Sequence, residues 1–192
     1  MIVTLQAGCK QRLESRYSLI WLTLLFLGVL AITIAQAPIT DNDSGSYLAM
    51  SSFRALGYPL FLKILSMMGF NLSGISWAQA LLYAAATAIL VRVFVLRLGI
   101  LAGLGVAVGL LLNPHLTRYQ FTILTEGPWM SILLLWASAL VTLFYARAHF
   151  IQHAIVLGVL TGLAFAVRPA SLAMAPVLLL APLLLYREQT PR

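Results

Sequence analysis

Ile75-Ser76-Trp77-Ala78-Gln79-Ala80-Leu81-Leu82-Tyr83-Ala84-Ala85-Ala86-Thr87-Ala88-Ile89-Leu90-Val91 runs for 17 residues without a charged side chain. At about 1.5 Å per residue such a helix covers about 26 Å, and its continuation to Arg97 makes it long enough for the roughly 30 Å of bilayer hydrocarbon. The rest of the chain has the same character. Of its 192 residues 61% are hydrophobic and 9% charged, a balance that no water-soluble domain of this size tolerates without aggregating. An integral membrane protein is expected.

Outward from this stretch, other apolar runs extend the pattern. Leu19 to Ala37 is an uncharged run that follows Lys10, Arg12 and Arg16, and it reads as a retained signal anchor. Ile100 to Leu112, Pro128 to Tyr145, Ala154 to Val167 and Ala170 to Tyr186 read as further spans, and Arg168-Pro169 marks the turn between the last two. Gly99, Gly103, Gly105 and Gly109 would let a neighbouring helix come close. The expected fold is therefore all-α: a polytopic transmembrane helix bundle of about six spans, with an outward juxtamembrane helical loop after the first. Residues 1–18 and 187–192 are cytoplasmic tails, and 19–186 form the transmembrane domain with its outer loop at 38–74. In that loop a helix is expected from Ser44 to Leu56, ended by Gly57, with Pro59 in the first turn of the next. Leu60 to Phe70 is too short to span and suits the membrane interface. Asn113 to Thr125 reads as a polar loop.

Charge placement supports this layout. Lys10, Arg12, Arg16, Arg92, Arg97, Arg147, Arg187 and Arg192 fall on the cytoplasmic side, and Arg54, Lys63, Arg118 and Arg168 on the other. Eight basic residues against four follow the positive-inside rule. The net charge of +7 is thus explained mostly by topology, and no nucleic-acid partner is needed. Cys9, the only cysteine, permits no internal disulfide.

The acids carry the functional signal. There are five, and Glu14 and Glu188 lie among basic residues near the ends. The remaining three, Asp41, Asp43 and Glu126, fall on the outward face with the four outward cations. A charge costs up to roughly 3 kcal/mol at the bilayer centre, so these groups should face a water-filled cleft. Two carboxylates one residue apart, with arginines within reach, suit a reaction in which a hydroxyl is deprotonated while an anionic phosphate leaves. Asp41 and Asp43 would alternatively hold a divalent cation, for which oxygen ligands are right, although two carboxylates are too few to require one.

Four motifs carry a resemblance: Asp43-Ser44-Gly45-Ser46-Tyr47-Leu48-Ala49; Gly57-Tyr58-Pro59-Leu60-Phe61-Leu62; Leu124-Thr125-Glu126; and Gly162-Leu163-Ala164-Phe165-Ala166-Val167-Arg168-Pro169. In this order, over about Ala37 to Pro176, the chain resembles the N-terminal part of the GT-C polytopic glycosyltransferases, in the protein O-mannosyltransferase and aminoarabinose transferase group. Where family members carry Asp-Glu this chain has Asp43-Ser44, which makes Asp41 the candidate second carboxylate. The family's members are longer, and a truncated glycosyltransferase is the expectation.

The resemblance implies an inverting transfer of a hexosyl or pentosyl group from a polyprenyl-phosphate sugar to an acceptor on a lipid, glycan or protein. The setting it implies is a bacterial inner (plasma) membrane, with the active face outward. It makes Asp43 the general base, with Asp41 beside it. Arg118 and Arg168 would hold the leaving phosphate, Glu126 would orient one of them or bind the sugar, and Tyr58 and His115 would contact substrate.

Each residue also has a structural reading. Asp43 or Asp41 would cap the following helix, Glu126 would complement a helix dipole, and Arg118 and Arg168 would anchor at headgroups. Arg54 and Lys63 read as partners of lipid phosphates. His149 and His153 read as interfacial residues, and Asn71-Leu72-Ser73 is a glycosylation sequon too close to the membrane to use. The rival function is a non-enzymatic membrane module, either a transporter or flippase fragment or a partner-dependent subunit. A transporter is expected to place polar groups at mid-membrane and to show an internal repeat; the uncharged cores and the clustering of acids at one face argue against it.

Overall fold

The structure, a computed structural model, describes residues 37–52, 54–145 and 150–177. The expected signal anchor, both tails, His149 and most of the expected last span lie outside the described residues. Within them the chain is all-helical: α1 (Ser44–Leu48), α2 (Gly57–Met67), α3 (Leu72–Leu98), α4 (Ile100–Leu111), α5 (Pro114–Phe121), α6 (Glu126–Tyr145), α7 (Phe150–Val167) and a 3-10 helix (Pro169–Met174).

Three helices, α3, α6 and α7, are long and apolar enough to cross a membrane. A fourth crossing is available if α4 and α5, bent by 59° at their junction, act as one span. The expected count of about six thus stands at three to four among the described residues.

Helix α3 is the axis of the bundle. It packs on α6, α4 and α5, and α6 packs in turn on α7. Ala80, Ala84 and Ala88 are buried at four-residue spacing along α3, and small side chains at this spacing bring helices together where the hydrophobic effect gives no drive. Tyr83, Ala84, Ala86 and Leu90 cluster with Leu134 of α6. Helix α7 exposes Ile151, Ile155, Val159 and Leu163, a surface suited to hydrocarbon.

The expected glycine face of α4 is reduced to one position. A Cβ on Gly103 would run into the Val95 side chain, whereas Gly105 and Gly109 face open space. Gly99 has φ +97 and turns the chain between α3 and α4.

Two further expectations are corrected. The helix expected from Ser44 to Leu56 ends at Leu48 in a Schellman motif: Ser51 N–H donates to the Ser46 carbonyl at 3.0 Å and Met50 N–H to that of Tyr47 at 3.1 Å. Met50 takes the left-handed φ of 50° that this motif requires and glycine usually supplies. The polar stretch after α4 is a helix, not a loop. The Asn113 side chain accepts from the amides of His115 (3.0 Å) and Leu116 (3.4 Å), and Pro114 occupies the first turn. Asn followed by Pro is a helix-start signature. Asn71 likewise caps α3 through Gly74 N–H at 2.9 Å, which gives the sequon asparagine a structural role. The segment expected as a last span opens as the 3-10 helix and becomes α-helical over 175–177.

Candidate functional site

Residues 39–44 are tied to the segment between α5 and α6. Ile39 N–H donates to the Phe121 carbonyl at 2.8 Å and Ile123 N–H to that of Ile39 at 3.0 Å, making an isolated parallel bridge. Buried Ser44 fastens the next turn. Its hydroxyl donates to the Ile123 carbonyl at 2.9 Å and accepts from Asp41 N–H at 2.8 Å.

These bonds lay the acidic loop against the start of α6. The result is a cleft of about 240 Å³ lined by Asp41, Asn42, Asp43, Tyr47, Leu124 and Glu126. Three carboxylates from segments more than 80 residues apart in sequence share one cavity.

Two of the three have guanidinium partners. Arg54 donates to the Asp43 carboxylate. It is held by the hydroxyls of Ser46 (3.0 Å) and Tyr47 (3.3 Å), and its guanidinium carbon lies 4.7 Å from the centre of the Tyr47 ring. Asp43 precedes α1 but makes no side-chain capping bond, so its carboxylate serves the ion pair and not the helix. Asp41 is exposed, and its carboxylate accepts from the amide of Asn42 at 2.7 Å.

Arg168 donates to Glu126 at 2.7 Å. The second Glu126 oxygen accepts from the Thr125 hydroxyl at 3.2 Å. The Arg168 guanidinium lies 5.1 Å from the Trp129 ring centre, within the range of cation–π attraction. The Trp129 indole donates to Ser171 at 2.6 Å, and Ser171 donates to the Ala164 carbonyl at 3.0 Å. Pro169 keeps Arg168 extended, at φ −146° and ψ 108°. The end of α7, the 3-10 turn and the start of α6 thereby hold one cation in place.

Exposure separates the two pairs. The Asp43 side chain is 58% exposed and that of Glu126 26%. Asp43 is open to an incoming molecule, whereas Glu126 is set back behind an Arg168 that is itself partly exposed. An ion pair as exposed as Asp43–Arg54 contributes little to stability, so its geometry is cheap to rearrange.

Beneath the cleft lies a buried polar network. The Tyr58 hydroxyl donates to Gln79 at 2.8 Å, and the Gln79 amide donates to the carbonyls of Gln120 and Thr122, each at 3.1 Å. The Tyr58 ring meets Tyr47 edge-on, with 5.2 Å between centres. Burial, then the nearby Tyr47 and Glu126, push the Tyr58 phenol well above its ordinary range.

Of the residues expected to form the site, Asp41, Asp43 and Glu126 come together, with Arg168 beside Glu126. Tyr58 is fully buried and supports Tyr47 from below. Arg118 and His115 are exposed on α5 and are not among the walls of the cleft. Among the described residues no group of three His, Cys, Asp or Glu side chains is arranged to hold a metal ion.

Arg54, Ser44, Gln79, Trp129 and Ser171 shape the site without having been singled out for it. Only Gln79, an amide inside a long apolar run, signals itself in the sequence. Compared with protein-family models, curated proteins and solved structures, the chain matches none.

Proposed function

We propose that this chain is a membrane glycosyltransferase that moves a sugar from a polyprenyl-phosphate donor to an acceptor hydroxyl at the outer face of the membrane. One observation carries the reading. Asp41, Asp43 and Glu126 line a single cleft, and two of them are paired with arginines.

In the proposed reaction the acceptor oxygen attacks the anomeric carbon from the side opposite the phosphate, with inversion, while Asp43 takes its proton. The bond from that carbon to the phosphate oxygen breaks, and the lipid phosphate leaves with the electron pair. A positioned base accounts for about two to four orders of magnitude in rate. Arg54 links the two partners: when a phosphate enters, the guanidinium exchanges Asp43 for the phosphate and frees the carboxylate to act as a base. Glu126, fixed by Arg168 and Thr125, presents an acceptor to sugar hydroxyls, and charged hydrogen bonds of this kind contribute roughly 1.5 to 3 kcal/mol.

The test is sugar transfer from a radiolabelled polyprenyl-phosphate sugar by membranes containing the chain. Asp43→Asn is expected to lower the rate at least about a hundredfold while leaving membrane insertion intact; an unchanged rate would refute the assignment. A second reading, a non-enzymatic module in which the ion pairs only fasten the outer loop, is favoured by the pairing of both carboxylates. It expects no transfer by the wild-type chain and a loosened loop in Asp43→Asn.

A further inference from the structure

Behind α1, on the side away from the cleft, a second and larger hollow lies between α2 and the first turn of α3. It has a volume of about 680 Å³ and is walled largely by apolar side chains, among them Leu62, Met67, Phe70, Leu72 and Ile75. The size is that of cavities which hold small molecules. Lys63 is the one charged residue in its described walls, and no ion pair engages it among the described residues. Met67 in its wall is 79% exposed, and Leu60, Ile64 and Met68 of the same segment are exposed as well.

The wall supplied by Leu72 and Ile75 is the first turn of a helix long and apolar enough to cross a membrane. We infer that this groove binds an anionic phospholipid of the surrounding bilayer, with an acyl chain along the apolar walls and the phosphate at Lys63. Three observations select this occupant: continuity with a helix long and apolar enough to cross a membrane, apolar walls, and a lone cation with no acid among the described walls to compete with a phosphate. Tyr47 faces the cleft and its neighbour Leu48 faces the groove. A bound lipid would therefore brace α1 from behind. The inference does not depend on sugar transfer.

The full chain in nanodiscs of phosphatidylcholine containing phosphatidylglycerol provides the test, with retained lipids read by native mass spectrometry. The wild-type chain is expected to retain phosphatidylglycerol selectively, Lys63→Gln to lose about fivefold of that preference, and Lys63→Arg to restore it. Equal retention by wild type and Lys63→Gln overturns the proposal. Benzoyl-phenylalanine in place of the exposed Met67 gives a second reading independent of that variant. Photo-adducts with phosphatidylglycerol support the site, whereas adducts with another part of this chain, or equally with phosphatidylcholine, overturn it.

Discussion

Gly57 leaves no room for a side chain: a Cβ there would lie 2.6 Å from the carbonyl carbon and oxygen of Ala166 and 2.9 Å from the amide nitrogen of Val167. These are backbone atoms at the end of α7, next to Arg168, so they cannot swing aside. Gly57 reads from sequence as a helix stop. In the fold it opens α2 and is the contact by which α2 docks on the segment carrying the Glu126 partner. Gly57→Ala is expected to destabilise the protein by about 1 to 3 kcal/mol, seen as a shorter half-life of the folded chain in detergent at a fixed temperature. An unaltered half-life would mean that α2 and α7 are not in contact.

Tyr58, the next residue, gives the site a dependence on pH. Its folded-state pKa is raised, first by burial, so the folded protein holds the phenol proton more tightly than the unfolded chain does. The corresponding stability is fully present below the ordinary tyrosine value of about 10 and is lost as pH rises beyond it. Unfolding in detergent is therefore expected to become easier above about pH 10, and Tyr58→Phe to show a shallower decline over the same range. A decline of identical slope in both proteins would assign the effect elsewhere.

Among the elements, α1 departs furthest from its sequence reading, and the cause lies in one residue. Its Schellman ending puts Met50 at φ 50°, a conformation that costs a side-chain-bearing residue roughly 1 to 2 kcal/mol. Met50→Gly removes that cost and is expected to raise stability by up to about 1 kcal/mol after the added freedom of the unfolded chain is counted. Thermal denaturation measures this, and a lower midpoint would show that the turn is not under strain.

Helices α3, α4, α6 and α7 are legible from hydropathy because each is a long apolar run bounded by Gly, Pro or charge. The observed ends of α4 and α6 fall within one or two residues of the expected ones. Helix α5 is missed because the polarity of Arg118, Tyr119 and Gln120 outweighs the Asn113-Pro114 start signal. Polarity marks loops only where no helix can bury its other face, and here Phe121 and Gln120 are buried against the bundle.

The convergence of Asp41, Asp43 and Glu126 is legible only in outline. Their scarcity and their placement at span ends single them out, but the bridge between Ile39 and Thr122 that joins them pairs residues far apart in the chain, and no local pattern encodes it. The choice of arginine is a similar case. Arg54 reads as a headgroup contact until the turn after α1 folds it back over Tyr47.

At the scale of the whole molecule, the described helices form one bundle with an apolar exterior on α7 and α4 and a polar cleft at the end where α6 begins. Alanines along α3 allow the close packing, and the buried Tyr58–Gln79 network ties α2 to the bundle axis and, through the carbonyls of residues 120 and 122, to the segment before α6. The proposed chemistry requires this end to be wet and to face outward, with all three carboxylates on the same side. Single cysteines at positions 43 and 126 in a Cys9→Ser background, exposed in intact cells to a membrane-impermeant thiol reagent, test that requirement most directly. Both Asp43→Cys and Glu126→Cys are expected to label from outside, the former faster because it is more exposed; labelling of the two from opposite sides, or of neither until the membrane is broken, would contradict the common outward cleft.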